Sequence, residues 1–125
     1  MPDSRPSAAF AYNCPVEVPV RVLGGKWKLI ILYHLLTGPQ RNGELLRLVP
    51  GITQKMLSQQ LRDLEHDGLV TRTVHEQVPP KVVYTLDPDE AERLRPLLKA
   101  LCDWAAYWAS QTGSEIRFAA AADTR

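Results

Sequence analysis

The stretch PGITQKMLSQQLRDLEHDGLVTR, Pro50 to Arg72, decides how the whole chain is read. Thr53 is suited to cap a helix, because its hydroxyl can accept a free amide of the first turn. Gly68 is suited to end it, since a residue without Cβ enters the left-handed conformation unstrained. Between them Met56, Leu57, Leu61 and Leu64 fall on one stripe of a 3.6-residue period, the side a core takes up. Gln54, Lys55, Ser58, Gln59 and Arg62 fall opposite, on a single helical face. A solvated face is more often Glu and Lys; this one is built of amides, a hydroxyl and cations. Arg and Lys donate to guanine in the major groove, Gln pairs bidentately with adenine, and Ser or Thr serves base or phosphate. The acids Asp63, Glu65 and Asp67 are displaced to the C-terminal end, which leaves the N-terminal half free of carboxylates. A solvated face that happens to be rich in Gln is the competing reading, and the flanking segments decide between the two.

On the N-terminal side, Pro50-Gly51-Ile52 reads as a tight turn, preceded by a short helix of Leu45, Leu46, Leu48 and Val49 that Asn42 can cap. Further upstream, KWKLIILYHLLT (Lys26 to Thr37) is apolar almost all round, as a helix at the centre of a small core should be, and Gly38-Pro39 stops it. Pro15 to Leu23 reads as another short helix, with Pro19 weakening the pattern. On the C-terminal side, LVTRTV and VVYTL are strand-like runs joined by the seven residues HEQVPPK, a hairpin with a protruding tip. Asp87-Pro88-Asp89-Glu90 then starts a helix: Asp87 caps, Pro88 fits the first position and Glu90 closes a capping box. Leu94, Leu97, Leu98, Leu101, Trp104, Ala105 and Trp108 recur along it at helical spacing, and Pro96 is expected to kink it or divide it in two. The expected organisation is a mobile arm over residues 1–13, one domain over 14–112 and a frayed tail over 113–125. The fold class is mainly α with a small β-hairpin, a winged helix-turn-helix with terminal helices left over for dimerisation.

Bulk properties narrow the function. The 125 residues fit one domain, and a net charge of +1 (15 Lys and Arg against 14 Asp and Glu) argues against a protein that coats nucleic acid through charge alone. It leaves room for a local basic surface: Arg72 and Lys81 flank the wing, with His75 and Gln77 nearer its tip, and Arg41 and Arg47 lie by the short helix. These are candidate phosphate clamps, which fix register without reading sequence. The start of the chain lacks a secretory pattern and no apolar run is long enough to span a bilayer, so the expected location is cytoplasmic, with no membrane partner. Cys14 and Cys102 are then expected to rest as thiols. There is no Gly-rich phosphate loop, and His34, His66 and His75 are isolated from one another, so neither a metal nor a cofactor is expected and the chain does not read as an enzyme. Cys14 sits just before a helix start, where free amides point outward. For Cys102 the commonest role of a free cysteine, a small buried hydrophobe, stands beside a reactive one.

The segments CPVEVPVRVLGGKWKLIILYHLLTGPQR, GELLRLVPGITQKMLSQQLRDLEHDGLVTR and VPPKVVYTL together resemble the HxlR-type transcriptional regulators of bacteria, winged-helix relatives of the MarR group. The resemblance runs from Cys14 to about Trp108. It is carried by the early Cys, GGKW, the LxxLExDGLVxR block, PPKxxY and a late Trp. Two departures stand out: Asn42 replaces the family's aromatic after Arg41, and Asp87-Pro88-Asp89-Glu90 replaces a Thr-x-x-Gly helix opening. The resemblance implies a homodimer, formed largely by the terminal helices, on double-stranded operator DNA of pseudo-palindromic sequence. Thr53, Gln54, Lys55, Ser58, Gln59 and Arg62 would then face bases, with Arg41, Arg72 and Lys81 on phosphates. The last helix agrees independently, being more apolar than a chain this short covers by itself; Leu94 and Leu97 are assigned to the core, and Leu101, Trp104 and Trp108 to a partner helix. The resemblance also implies that Cys14 senses oxidants or electrophiles, with Cys102 of the other subunit as the candidate resolving thiol. Two alternatives stay open: a small-molecule inducer held at the dimer interface by Tyr12, Tyr33, Tyr107 and Trp108, and a winged helix used only for protein contact. The leading expectation is a dimeric repressor.

Overall fold

The computed structural model describes residues 9–117, so the expected arm and tail extend beyond it on residues 1–8 and 118–125. Five helices and three strands follow one another as α1 (Glu17–Leu23), α2 (Lys28–Leu35), β1 (Gln40–Arg41), α3 (Asn42–Leu48), α4 (Gln54–His66), β2 (Val70–His75), β3 (Lys81–Leu86) and α5 (Pro88–Thr112). The order matches the sequence expectation with one addition. The wing is a three-stranded antiparallel sheet in the order β1-β3-β2, because Gln40 and Arg41 pair with Tyr84 and Val83 on the outer side of β3. The hairpin is also tighter than its seven-residue spacing suggests: pairing continues to His75 opposite Lys81.

One core organises these elements. Ile31, Leu32 and Leu35 of α2 meet Leu45 and Leu48 from α3, Val49 just after it, Leu57, Leu61 and Leu64 from α4, and Leu94 and Leu98 from α5. Leu69, Val70 and Leu86 close it beneath the root of the wing. The local signals act where they were expected. Thr53 Oγ1 accepts the Met56 N–H at 3.1 Å, and Asp87 caps α5 by accepting the Glu90 N–H at 3.1 Å, with Pro88 at its start. Gly68, at φ +82°, ends the α4 turn in the left-handed region.

Three expectations give way. Asn42 is the first residue of α3 and not its cap; Arg41 holds the capping position, and the Glu44 carboxylate accepts its N–H at 2.6 Å. Pro96 does not divide the last helix, which runs unbroken through 25 residues. The lost amide and the crowding of its ring are local, and helix packs on both sides of it. Within α5 the core takes Leu94 and Leu98, whereas Leu97 is exposed. Leu94 and Leu98 face the body, Leu97 stands about 60° to one side of Leu94 at the rim of a cleft, and Leu101, Trp104 and Trp108 are exposed farther along the helix, where no α5 residue is buried.

His34 is the single buried polar or charged residue among those described, set on α2 with its ring edge-on to Tyr33 at 5.2 Å between centroids. Burial withdraws the imidazole from water and lowers its pKa from the ordinary 6.5. The unfolded chain therefore holds the proton more readily than the folded one. Stability is full above pH 6.5, and it declines as the pH falls from there through the lower folded-state value. Urea midpoints measured from pH 7.5 down to pH 5 should show this decline, and His34→Gln should flatten it.

Candidate nucleic-acid interface

Burial of Leu57, Leu61 and Leu64 leaves the opposite side of α4 pointing into solvent. Gln54, Lys55, Gln59 and Arg62 are exposed, as is the capping Thr53, and Ser58 is half-buried between them. Among the described residues nothing covers this face. The turn Val49 to Ile52 joins α3 to α4, with the Ile52 N–H bonded to the Val49 carbonyl at 3.3 Å and Gly51 at φ +91°.

This face is not a set of loose side chains. At its N-terminal end Asn42 reaches from α3 to clasp Gln54: the Asn42 amide donates to Gln54 Oε1 at 2.5 Å, and Gln54 Nε2 donates back to Asn42 Oδ1 at 3.1 Å. The second N–H of Gln54 goes to Ser58 Oγ at 2.8 Å. Further along, Gln59 Nε2 donates to Asp63 Oδ1 at 3.0 Å, and Arg62 Nη2 donates to Gln59 Oε1 at 3.1 Å. Asp63 in turn lies 3.7 Å from Lys28 Nζ, at the start of α2. Sequence reasoning missed Asn42, Asp63 and Lys28 as members of this surface. The i,i+4 spacing of Gln59 and Asp63 was a readable signal for one of the three contacts. The other two join separate elements and have no local signature.

The strand register sorts the candidate clamps. Residues paired across antiparallel strands project to the same side, and neighbours along a strand alternate. Arg41 pairs with Val83, Val83 with Thr73, and Lys81 with His75, so Arg41, Thr73, His75 and Lys81 share one face of the sheet. Arg72 pairs with Tyr84 and projects to the other face, in the row that holds Val70 and Leu86. The structure thus brings Arg41 and Lys81 together and sets Arg72 apart from them. Among the described residues, Lys55, Arg72 and Lys81 engage no carboxylate, so their charges remain available.

The other candidate residues lie away from α4. Cys14 is exposed in the turn before α1, where its carbonyl accepts the Glu17 N–H at 3.1 Å. Cys102 is exposed on α5 and is not the small buried hydrophobe its residue type suggests. On the same helix Leu101, Trp104, Tyr107 and Trp108 are exposed, with the Trp104 and Trp108 rings stacked at 5.5 Å. From Lys99 to Thr112 no α5 residue is buried. Phe10 lies under the Arg21 guanidinium at 3.7 Å, and with Tyr12, Val18, Leu69 and Leu97 it lines a cleft of about 430 Å³. Of the four aromatic residues expected to share a small-molecule pocket, this cleft takes Tyr12 and none of the other three. Among the described residues no group of His, Cys, Asp and Glu could hold a metal ion, and no helix is long and apolar enough to cross a membrane.

A turn-linked pair of helices, the second with its polar face outward and a small sheet after it, defines a winged helix-turn-helix regulator. The chain belongs to the HxlR-like helix-turn-helix family, which it matches over residues 22–113. It is 50% identical to the HTH-type transcriptional regulator YkvN of Bacillus subtilis (strain 168) over 104 residues, covering 83% of this chain and 87% of that protein. Among solved structures it is similar to the HTH-type transcriptional regulator ytcD, with a TM-score of 0.72, 49% identity and coverage of 78% of this chain and 98% of that one. It is also similar to the redox regulator HypR in its oxidized form, with a TM-score of 0.70, 47% identity and coverage of 75% and 96%. The chain is an HxlR-type transcriptional regulator.

The cap that sets the start of α4 is open to a direct check. Thr53→Ala should lower unfolding stability by about 1 kcal/mol, read from the urea midpoint, while Thr53→Ser keeps most of it.

Proposed function

We propose that this regulator is a homodimer that binds double-stranded operator DNA sequence-specifically and acts as a repressor. The observation that carries the reading is the uncovered face of α4, whose N-terminal half bears Gln54, Lys55, Ser58 and Gln59 and no carboxylate. In this reading those residues, with Thr53 and Arg62, meet base edges and the nearest phosphates in the major groove. Arg41 and Lys81 from one face of the sheet, and Arg72 from the other, contact the flanking backbone. Two copies pair through the exposed stripe of α5 at Leu101, Trp104 and Trp108, which sets the two reading helices in successive major grooves about 34 Å apart. The near-zero net charge of the chain favours a selected site over indiscriminate binding.

Mobility shifts on the promoter flanking its own gene test this. Gln59→Ala and Arg62→Ala should each cost about 1–3 kcal/mol of discrimination between that site and random duplex. Lys81→Ala should weaken both duplexes alike and reduce the salt slope by about one. Equal losses on specific and random DNA for all three variants would overturn the reading.

A second layer is control through thiols, supported by the exposure of both cysteines and by the similarity to a protein described as a redox regulator. In this reading an oxidant takes two electrons and two protons from Cys14 and from Cys102 of the second copy as they join in a disulfide; an electrophile instead alkylates Cys14 alone. Either change alters the dimer and releases DNA. Wild-type protein should lose its mobility shift after treatment with a quinone or hypochlorite, and Cys14→Ser should keep it. Release from Cys14→Ser at the same dose would move control to a non-covalent small-molecule inducer.

A further inference from the structure

Gln59 is held from both sides by groups of opposite hydrogen-bonding character. Asp63 Oδ1 accepts from its amide nitrogen at 3.0 Å, and Arg62 Nη2 donates to its amide oxygen at 3.1 Å. An ionised carboxylate only accepts and a guanidinium only donates, so the amide has one permitted orientation. Asp63 is itself held: Lys28 Nζ lies 3.7 Å from its other oxygen, on a side chain only 16% exposed. The sequence of contacts runs from the scaffold helix α2 through Asp63 to the reading face. What Gln59 retains is one free N–H and one free lone pair on the carbonyl, in a fixed order. These are the complements of adenine N7 and of the adenine N6 amino group.

Gln54, the other amide on this face, differs. Both of its N–H groups are used, one on Asn42 and one on Ser58, so it has no donor left for a bidentate pairing.

We propose that Asp63 is a specificity-positioning residue: it fixes the Gln59 amide so that Gln59, and not Gln54, selects an A·T pair in each half-site. Asp63 does not touch the base. Its negative charge lies near phosphate and lowers overall affinity while it sharpens selection. The inference rests on α4 being the helix that faces bases.

The test is selection of bound duplexes from a randomised library by the full-length wild type, Asp63→Asn, Asp63→Glu and Gln59→Ala, with thermal melting of each in parallel. Wild type should prefer A·T about tenfold at one position per half-site. Gln59→Ala and Asp63→Asn should both reduce that preference below about threefold at that position, leaving the others intact, and Asp63→Glu, which keeps an acceptor at the same spacing, should retain it. Asp63→Asn should also bind random duplex at least as tightly as wild type. If Asp63→Asn fails to melt cooperatively, the paired variant Lys28→Gln with Asp63→Asn, which removes both charges together, is read in its place. Retention of the wild-type preference in Asp63→Asn, or a uniform loss at every position, would overturn the inference while leaving the DNA-binding reading intact. A wild-type protein that enriches no sequence would overturn both.

Discussion

Three leucines on α4 fix the orientation on which everything else depends. Leu57, Leu61 and Leu64 are almost wholly removed from water. Each buried leucine is worth about 1.5–3 kcal/mol, so turning α4 about its axis would forfeit a large share of the marginal stability of a domain. The polar face is therefore as fixed as the core. Its outward aim is imposed by hydrophobic burial and needs no contribution from the polar residues themselves. This frees Gln54, Lys55, Ser58, Gln59 and Arg62 to be chosen for what they bond to.

Much of this was legible because the deciding signals are local. Thr53, Gly68 and the Asp87-Pro88 pair act within one helical turn, and the residues found there are the ones that satisfy those turns. The parts that were not legible depend on partners distant in sequence. Gln40 and Arg41 form a strand only because the outer edge of β3 is available to pair with them, and no two-residue stretch announces that. Asn42 has the chemistry of a cap, yet Glu44 satisfies the amide of Arg41, and Asn42 bonds across to Gln54. Leu97 and Leu98 are neighbours of identical chemistry, and only the line along which α5 meets the body decides which is buried. At the site the outward residues were readable from periodicity, whereas the contacts that join separate elements, Asn42 to Gln54 and Lys28 to Asp63, were not.

Lys55 on α4 and Arg72 and Lys81 on the wing engage no carboxylate among the described residues, and exposed apolar groups cluster along α5 at Leu97, Leu101, Trp104, Tyr107 and Trp108 and on α1 at Val18 and Val20. Both cysteines lie by these apolar elements, one before α1 and one on α5, and neither lies in α3, α4 or the sheet. Chemistry at either sulfur would therefore begin outside the helix-turn-helix pair and the wing.

The part of α5 beyond Leu98 has a metric consequence. A helix advances about 1.5 Å and rotates about 100° with each residue, so an overhang of fixed length is both a ruler and a protractor. Whatever grips its indole pair is held at a distance and azimuth from the body that are counted in whole residues. Shortening the overhang by one residue would swing the gripped object by more than a quarter of a revolution while moving it hardly at all. Changes in helix length are thus coarse in angle and fine in distance, and point substitutions are the only small adjustment this geometry permits.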